Sequence, residues 1–196
     1  VIDRHIRDAM GKFGINTALR KAHFLAQIDH ESNGFRATRE SLNYSVEALL
    51  RSFPKRISPE EARRHGRTAT QPANQEAIAN AIYGGKWGAE NLGNTEPGDG
   101  WRFIGRGLIQ ITGRANYSEV AKVLGLGGRL IGNPQLLESP ELAAHSAGWY
   151  WKSRGLNEFA DKDDLVEITR RINGGRNGLE HRKELLDKYK ADLGVA

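Results

Sequence analysis

Two glutamates nine residues apart, Glu31 and Glu40, are the pair in this chain best suited to proton chemistry. Glu31 sits in the run His30-Glu31-Ser32-Asn33-Gly34-Phe35, where a helical pattern gives way to a Gly-containing stop. Glu40 follows across a short loop. One carboxyl to protonate a leaving oxygen and a second to activate water is what general acid/base cleavage of a glycosidic bond requires.

The placing of Glu31 supports the role of acid. Thr17 can cap a helix that runs to about Glu31, with Leu19, Ala22, Leu25, Ala26 and Ile28 for the core and Asn33-Gly34 as its left-handed stop. The last turn of a helix presents unpaired carbonyls, so an ionised carboxylate there is disfavoured and the proton tends to stay on. His23 and Gln27 precede Glu31 at spacings of four and share its face, a polar stripe that reads as the wall of a cleft. The loop is short enough to return Glu40 to face Glu31. Inverting cleavage needs its two carboxyls roughly 6.5–9.5 Å apart to admit water. The plainer alternative makes Glu31 a surface residue and pairs Glu40 with Arg36 or Arg39.

A second polar group lies in Gly105-Arg106-Gly107-Leu108-Ile109-Gln110-Ile111-Thr112-Gly113, followed by Asn116-Tyr117. Alternation from Leu108 to Thr112 predicts a short strand with Leu108, Gln110 and Thr112 on one face and Ile109 and Ile111 on the other. Gln110 and Thr112 would then bind a sugar or hold a water. A buried strand with incidental polar residues is the competing interpretation.

Helices must position these groups. Amphipathic or capped patterns predict them over 3–13, 17–31, 45–53, 58–65, 73–83, 114–124, 140–153, 163–172 and 178–193. Residues 35–44 have no helical period. Residues 84–113 are dense in glycine and are expected to be extended or strand-containing. With no internal repeat or low-complexity linker, the chain reads as a single catalytic domain spanning 1–196, mainly α, with a small irregular or β portion beside the cleft.

The 196 residues are 38 % hydrophobic and 27 % charged, which suits a globular chain with a sizeable core. No apolar run is long enough for a membrane span, and the N-terminus has no signal-peptide h-region. A start at Val1 rather than Met leaves room for an upstream wall-binding module. There is no cysteine, so neither disulfides nor thiol chemistry enter. A net charge of +5 and a pI near 9.6 favour a polyanionic partner or serve solubility.

Three ordered motifs carry a resemblance: His30-Glu31, the Gly105–Gly113 run with Asn116-Tyr117, and Ile172-Asn173-Gly174-Gly175. Together they resemble family 19 glycoside hydrolases, chitinase-like enzymes of the lysozyme superfamily, over about residues 20–185. Glu40-Ser41-Leu42-Asn43-Tyr44-Ser45, Phe53-Pro54-Lys55-Arg56 and Asn80-x-Ile82-Tyr83 are similar to the phage-encoded and bacterial branch that lyses cell walls. The resemblance implies a lysozyme-like α+β fold, Glu31 as general acid and Glu40 as general base. It implies Thr112 as the hydroxyl that positions the attacking water. Gln110, Asn116 and Asn173 match sugar-binding positions; His30 and Tyr44, inside the matched motifs, are expected beside the substrate. Arg182 matches a cleft arginine, although its spacing from Asn173 differs from the plant pattern. The close Glu31–Glu40 spacing departs from plant chitinases and favours peptidoglycan, cleaved between N-acetylmuramic acid and N-acetylglucosamine with inversion and no cofactor. The expected setting is synthesis in a host cytoplasm and action, as a monomer, in the periplasm or cell wall.

Other chemistries fit poorly. His30-Glu31-x-x-Gly34 lacks the second histidine of a helix-borne zinc site, and no dinucleotide or phosphate loop is present. Arg51, Lys55, Arg56, Arg63, Arg64 and Arg67 form a basic segment suited to anionic cell wall or outer-membrane lipid. Without interleaved aromatics it is a poor nucleic-acid platform. Trp87 and Trp101 could stack on sugars, whereas Trp149, Tyr150 and Trp151 read as core. A chitinase, a non-catalytic carbohydrate-binding protein and membrane disruption through the basic segment are the rivals.

Overall fold

A computed structural model describes residues 3–195. Helices dominate: α1 (Arg4–Lys12), α2 (Ala18–Glu31), α3 (Val46–Ser52), α4 (Pro59–His65), α5 (Gln75–Tyr83), α6 (Gly85–Leu92) and α7 (Asp99–Arg102). Then follow α8 (Arg114–Val123), α9 (Gly128–Gly132), α10 (Pro140–Ser153), α11 (Leu156–Ala160), α12 (Leu165–Asn173) and α13 (Leu179–Asp192). Pairing of extended backbone among the described residues is confined to isolated bridges. The mainly α expectation therefore holds.

Local chemistry explains the helix ends. Thr17, Ser45 and Ser58 each accept a hydrogen bond from a backbone N–H in the first turn of the helix they open. Ser58 and Glu61 complete a reciprocal capping box before Pro59. Two regions differ from the sequence expectation. Residues 84–113 hold two helices, α6 and α7, rather than an extended excursion. Gly88 is not a breaker there but lies inside α6, where a Cβ would overlap the Tyr83 carbonyl; Gly113, at a left-handed φ of 92° before α8, leaves room for Leu92, which a Cβ would approach within 2.7 Å. Nor is 108–112 a strand. Residues 107–110 form a turn closed by the antiparallel bridge Arg106↔Ile111, with Gln110 at a left-handed φ of 58°.

The residues fall into two compact units. The first contains the chain up to Thr38, the short stretch Gly107–Ile109 and everything from Leu137 onward. In it α1 packs on α10 and α2 on α13. Gly148 makes room for the Phe13 ring, and Phe24 meets the fully buried Trp151 edge to face at 5.4 Å. Trp149 is also buried, so both tryptophans of α10 are core, as expected.

The second unit comprises Arg39–Arg106 and Gln110–Leu136. Leu42, Leu49, Ile57, Ala62, Ile78, Ala79, Ile82 and Ile104 form its central cluster, against which Tyr44, Phe53, Tyr83 and Trp101 pack. Asp99 and Arg114 form a bidentate ion pair, both contacts 2.7 Å, that ties α7 to α8. Such a pair resists twisting as well as separation. No helix among the described residues is long and apolar enough to cross a membrane.

Candidate active site

Glu31 belongs to the first unit and ends α2. Beyond it the chain reverses through Asn33, Gly34 and Phe35, all at left-handed φ of 51°, 72° and 63°. That conformation is costly for a bulky aromatic, on the order of 1–3 kcal/mol. Ser32 stabilises the turn by donating to the Ile28 carbonyl and accepting from the Phe35 N–H at 2.9 Å.

The partner of Glu31 is Arg182, 151 residues away on α13. Its Nη2 donates to Glu31 Oε1 at 2.5 Å, its Nη1 to Gln27 Oε1 at 2.5 Å, and its Nε to the Asn177 carbonyl at 3.2 Å. Gln27 in turn donates to Thr169 Oγ1 on α12 at 3.2 Å. Arg182 is only 1 % exposed, so it fixes Glu31 rather than lining a cleft where substrate could reach it. Glu31 is thus not alone with the negative end of its helix: a buried cation holds one oxygen, and Oε2 has no bond among the described residues.

The polar stripe is also corrected. His23 and Gln27 are fully buried, not a cleft wall, because Asp163 before α12, Thr169 of α12 and Arg182 of α13 supply partners that repeating polarity alone does not disclose. His23 Nε2 meets Asp163 at 2.7 Å, and burial pushes the imidazole below its ordinary range. His30, expected beside substrate, lies against Gly178, where a Cβ would collide with its ring. Its Nδ1 pairs with Nδ1 of His181 at 2.8 Å. Asn173 is exposed at the end of α12, next to the left-handed Gly174.

Glu40 belongs to the second unit and is differently housed. Its Oε1 accepts the Gly105 N–H at 2.5 Å and its Oε2 accepts the Tyr83 hydroxyl at 2.9 Å. The Glu40 N–H returns a bond to the Gly105 carbonyl at 2.9 Å. Neither Arg36 nor Arg39 is its partner; Arg39 stacks over Trp101 at 5.0 Å. Burial pushes the Glu40 carboxyl above its ordinary range, and the Gly105 and Tyr83 bonds with the nearby Arg106 charge only partly restrain it.

The glycine of the motif explains how the other groups gather. A Cβ on Gly105 would come within 2.8 Å of Gln110 Oε1 and 3.2 Å of both Glu40 Oε1 and Thr112 Oγ1. Oxygens of Glu40, expected as the base, of Thr112, expected to position water, and of Gln110, expected to bind sugar, therefore lie around the side of Gly105 that a Cβ would fill. Thr112 Oγ1 donates to the Gln110 carbonyl at 3.1 Å, and Asn116 donates to the Thr112 carbonyl at 2.8 Å. Asn116 thus secures the loop that carries Thr112. Tyr44 stands near enough to Glu40 for the carboxylate, after burial, to push its phenol upward. Tyr83 is a site residue that sequence reasoning misses; nothing local marks it, since Glu40 lies 43 residues away. Among the described residues no three His, Asp or Glu side chains converge as a metal site would require.

No family profile matches the chain. A glycosyl hydrolase family 19 domain-containing protein of Haemophilus influenzae is 40 % identical over 175 residues, 89 % of this chain and 80 % of that protein. The chain belongs to glycosyl hydrolase family 19. It is a glycoside hydrolase. The fold resembles that of chitinase C from Streptomyces griseus, which superposes with a TM-score of 0.59 at 21 % identity, covering 98 % of this chain and 70 % of that one. An acidic 26 kDa endochitinase of tomato, Solanum lycopersicum, is 34 % identical over 58 residues, 29 % of this chain and 23 % of that enzyme.

Proposed function

We propose that this family 19 hydrolase cleaves peptidoglycan at the β-1,4 bond between N-acetylmuramic acid and N-acetylglucosamine, with inversion. In this reading Glu31 protonates the leaving oxygen from Oε2 while Arg182 holds Oε1. Glu40 takes a proton from water, and Thr112 orients that water. Gln110 and Asn173 bind sugar. The observation that carries the proposal is the Glu40 carboxylate, raised by burial yet fixed by Gly105 and Tyr83, with Gln110 and Thr112 beside it. The nine-residue spacing of Glu31 and Glu40 along the sequence and the net charge of +5 favour an anionic wall over neutral chitin. Action at the cell wall, after synthesis in a host cytoplasm, goes with that substrate.

Chitin is the second reading, favoured because the similar tomato protein is an endochitinase and the similar Streptomyces griseus protein is a chitinase. Mass analysis of products from purified peptidoglycan and from chitin oligomers separates the two. Disaccharide-peptides ending in reducing muramic acid are expected. Intact peptidoglycan beside digested chitin would overturn the choice.

A further inference from the structure

Arg56 stands apart from the other basic residues of its segment. Arg64 is bonded to Glu60 at 2.9 Å and Arg67 to the Asn43 carbonyl at 3.3 Å, while Arg51, Lys55 and Arg63 are exposed. Arg56 is half-buried, its guanidinium 3.6 Å from the centroid of the Trp87 ring and 5.7 Å from that of Phe53. The contacts of its guanidinium are these aromatic faces, with no hydrogen bond or ion pair to the guanidinium N–H groups among the described residues; its backbone N–H donates to the Phe53 carbonyl at 3.0 Å. Stacking fixes the plane of a guanidinium and strips part of its water while leaving its edge donors available.

The place of this fork matters. Phe53 and Tyr83 pack on the same apolar cluster, and the Arg56 charge is felt at the Tyr83 hydroxyl, which holds Glu40. A planar fork with unused donors suits a carboxylate, which it can bind with two parallel bonds. Chitin offers no carboxylate. Muramyl sugars carry a lactyl acid, free or extended by a peptide that bears carboxylates of its own.

We propose that Arg56, clamped on Trp87, is a carboxylate-reading subsite that selects muramyl glycans over neutral ones. The inference rests on the peptidoglycan reading above and adds the residue that would enforce it. Trp87 on this account is a support for the cation rather than a bare sugar platform.

The test compares the wild type with Arg56→Gln on three probes: purified peptidoglycan, the same material with its carboxylates amidated, and a chitin hexamer. Melting temperature confirms that the variant is folded. The expected loss of kcat/KM on native peptidoglycan exceeds that on the chitin hexamer by about tenfold, mainly through KM. On amidated peptidoglycan the excess should vanish. Equal fractional losses on native peptidoglycan and chitin, or the same excess after amidation, would overturn the subsite while leaving the hydrolase reading intact. A wild type that digests the hexamer and leaves native peptidoglycan whole would overturn the underlying reading, and this one with it.

Discussion

Tyr83 donates its hydroxyl to Glu40 Oε2 at 2.9 Å, from a ring packed against the apolar cluster of the second unit. The bond joins the stability of that cluster to the charge state of the proposed base. Burial and the Glu40 charge push the Tyr83 phenol above its ordinary range, so it remains a donor at any working pH.

Tyr83→Phe should therefore move the acid limb of the pH–rate profile toward higher pH. The tyrosine bond favours the ionised form of Glu40, and without it burial raises the carboxyl further. Turnover well above that limb should fall less than about tenfold, because Gly105 still holds the other oxygen. An unmoved acid limb would show that Glu40 is not the group seen in the profile.

Glu40→Gln should be inactive but more stable than the wild type near neutrality. A folded-state carboxyl raised above its unfolded value binds protons more tightly in the native state. Its contribution is then fully present below the unfolded value and is lost as pH rises through the folded one. Glutamine mimics the protonated form: its carbonyl can accept from Gly105 and its amide can donate to the Tyr83 oxygen. The melting-temperature gap between variant and wild type should be widest at pH 7 and close toward about pH 4.5, the ordinary glutamate value.

Arg182→Met removes the cation that joins Gln27 to Glu31. Leaving a buried acceptor and a part-buried carboxylate without their donor should cost about 3 kcal/mol. For a chain of this size that lowers the melting temperature by about 6–12 °C. Calorimetry beside turnover distinguishes this from a residue that only contacts sugar, whose loss would raise KM and leave stability alone.

Most of the scaffold was legible because its signals are local. Thr17, Ser45 and Ser58 cap helices where their side chains can reach the first turn, and α10 begins at Pro140 and ends at Ser153, the bounds its pattern suggested. Glu31 at a helix end and Glu40 in an irregular segment were visible for the same reason. What escaped depended on distant partners. Gly88 resembles a breaker until the Tyr83 carbonyl is seen against it. Alternation at 108–112 mimics a strand, but Gln110 at positive φ makes a turn, and no periodicity reports φ. The burial of His23 and Gln27 and the pairing of Arg182 with Glu31 require Asp163, α12 and α13, more than 130 residues away.

The most direct test of the account is the initial rate of reducing-end release from purified peptidoglycan by Glu31→Gln, measured beside its melting curve. Glutamine can keep a bond from Arg182 to its carbonyl but has no proton to give the leaving oxygen. A folded variant slowed by about 10³-fold or more is the expected result. A folded variant that works at the wild-type rate would contradict the account, because the proton must then come from another group.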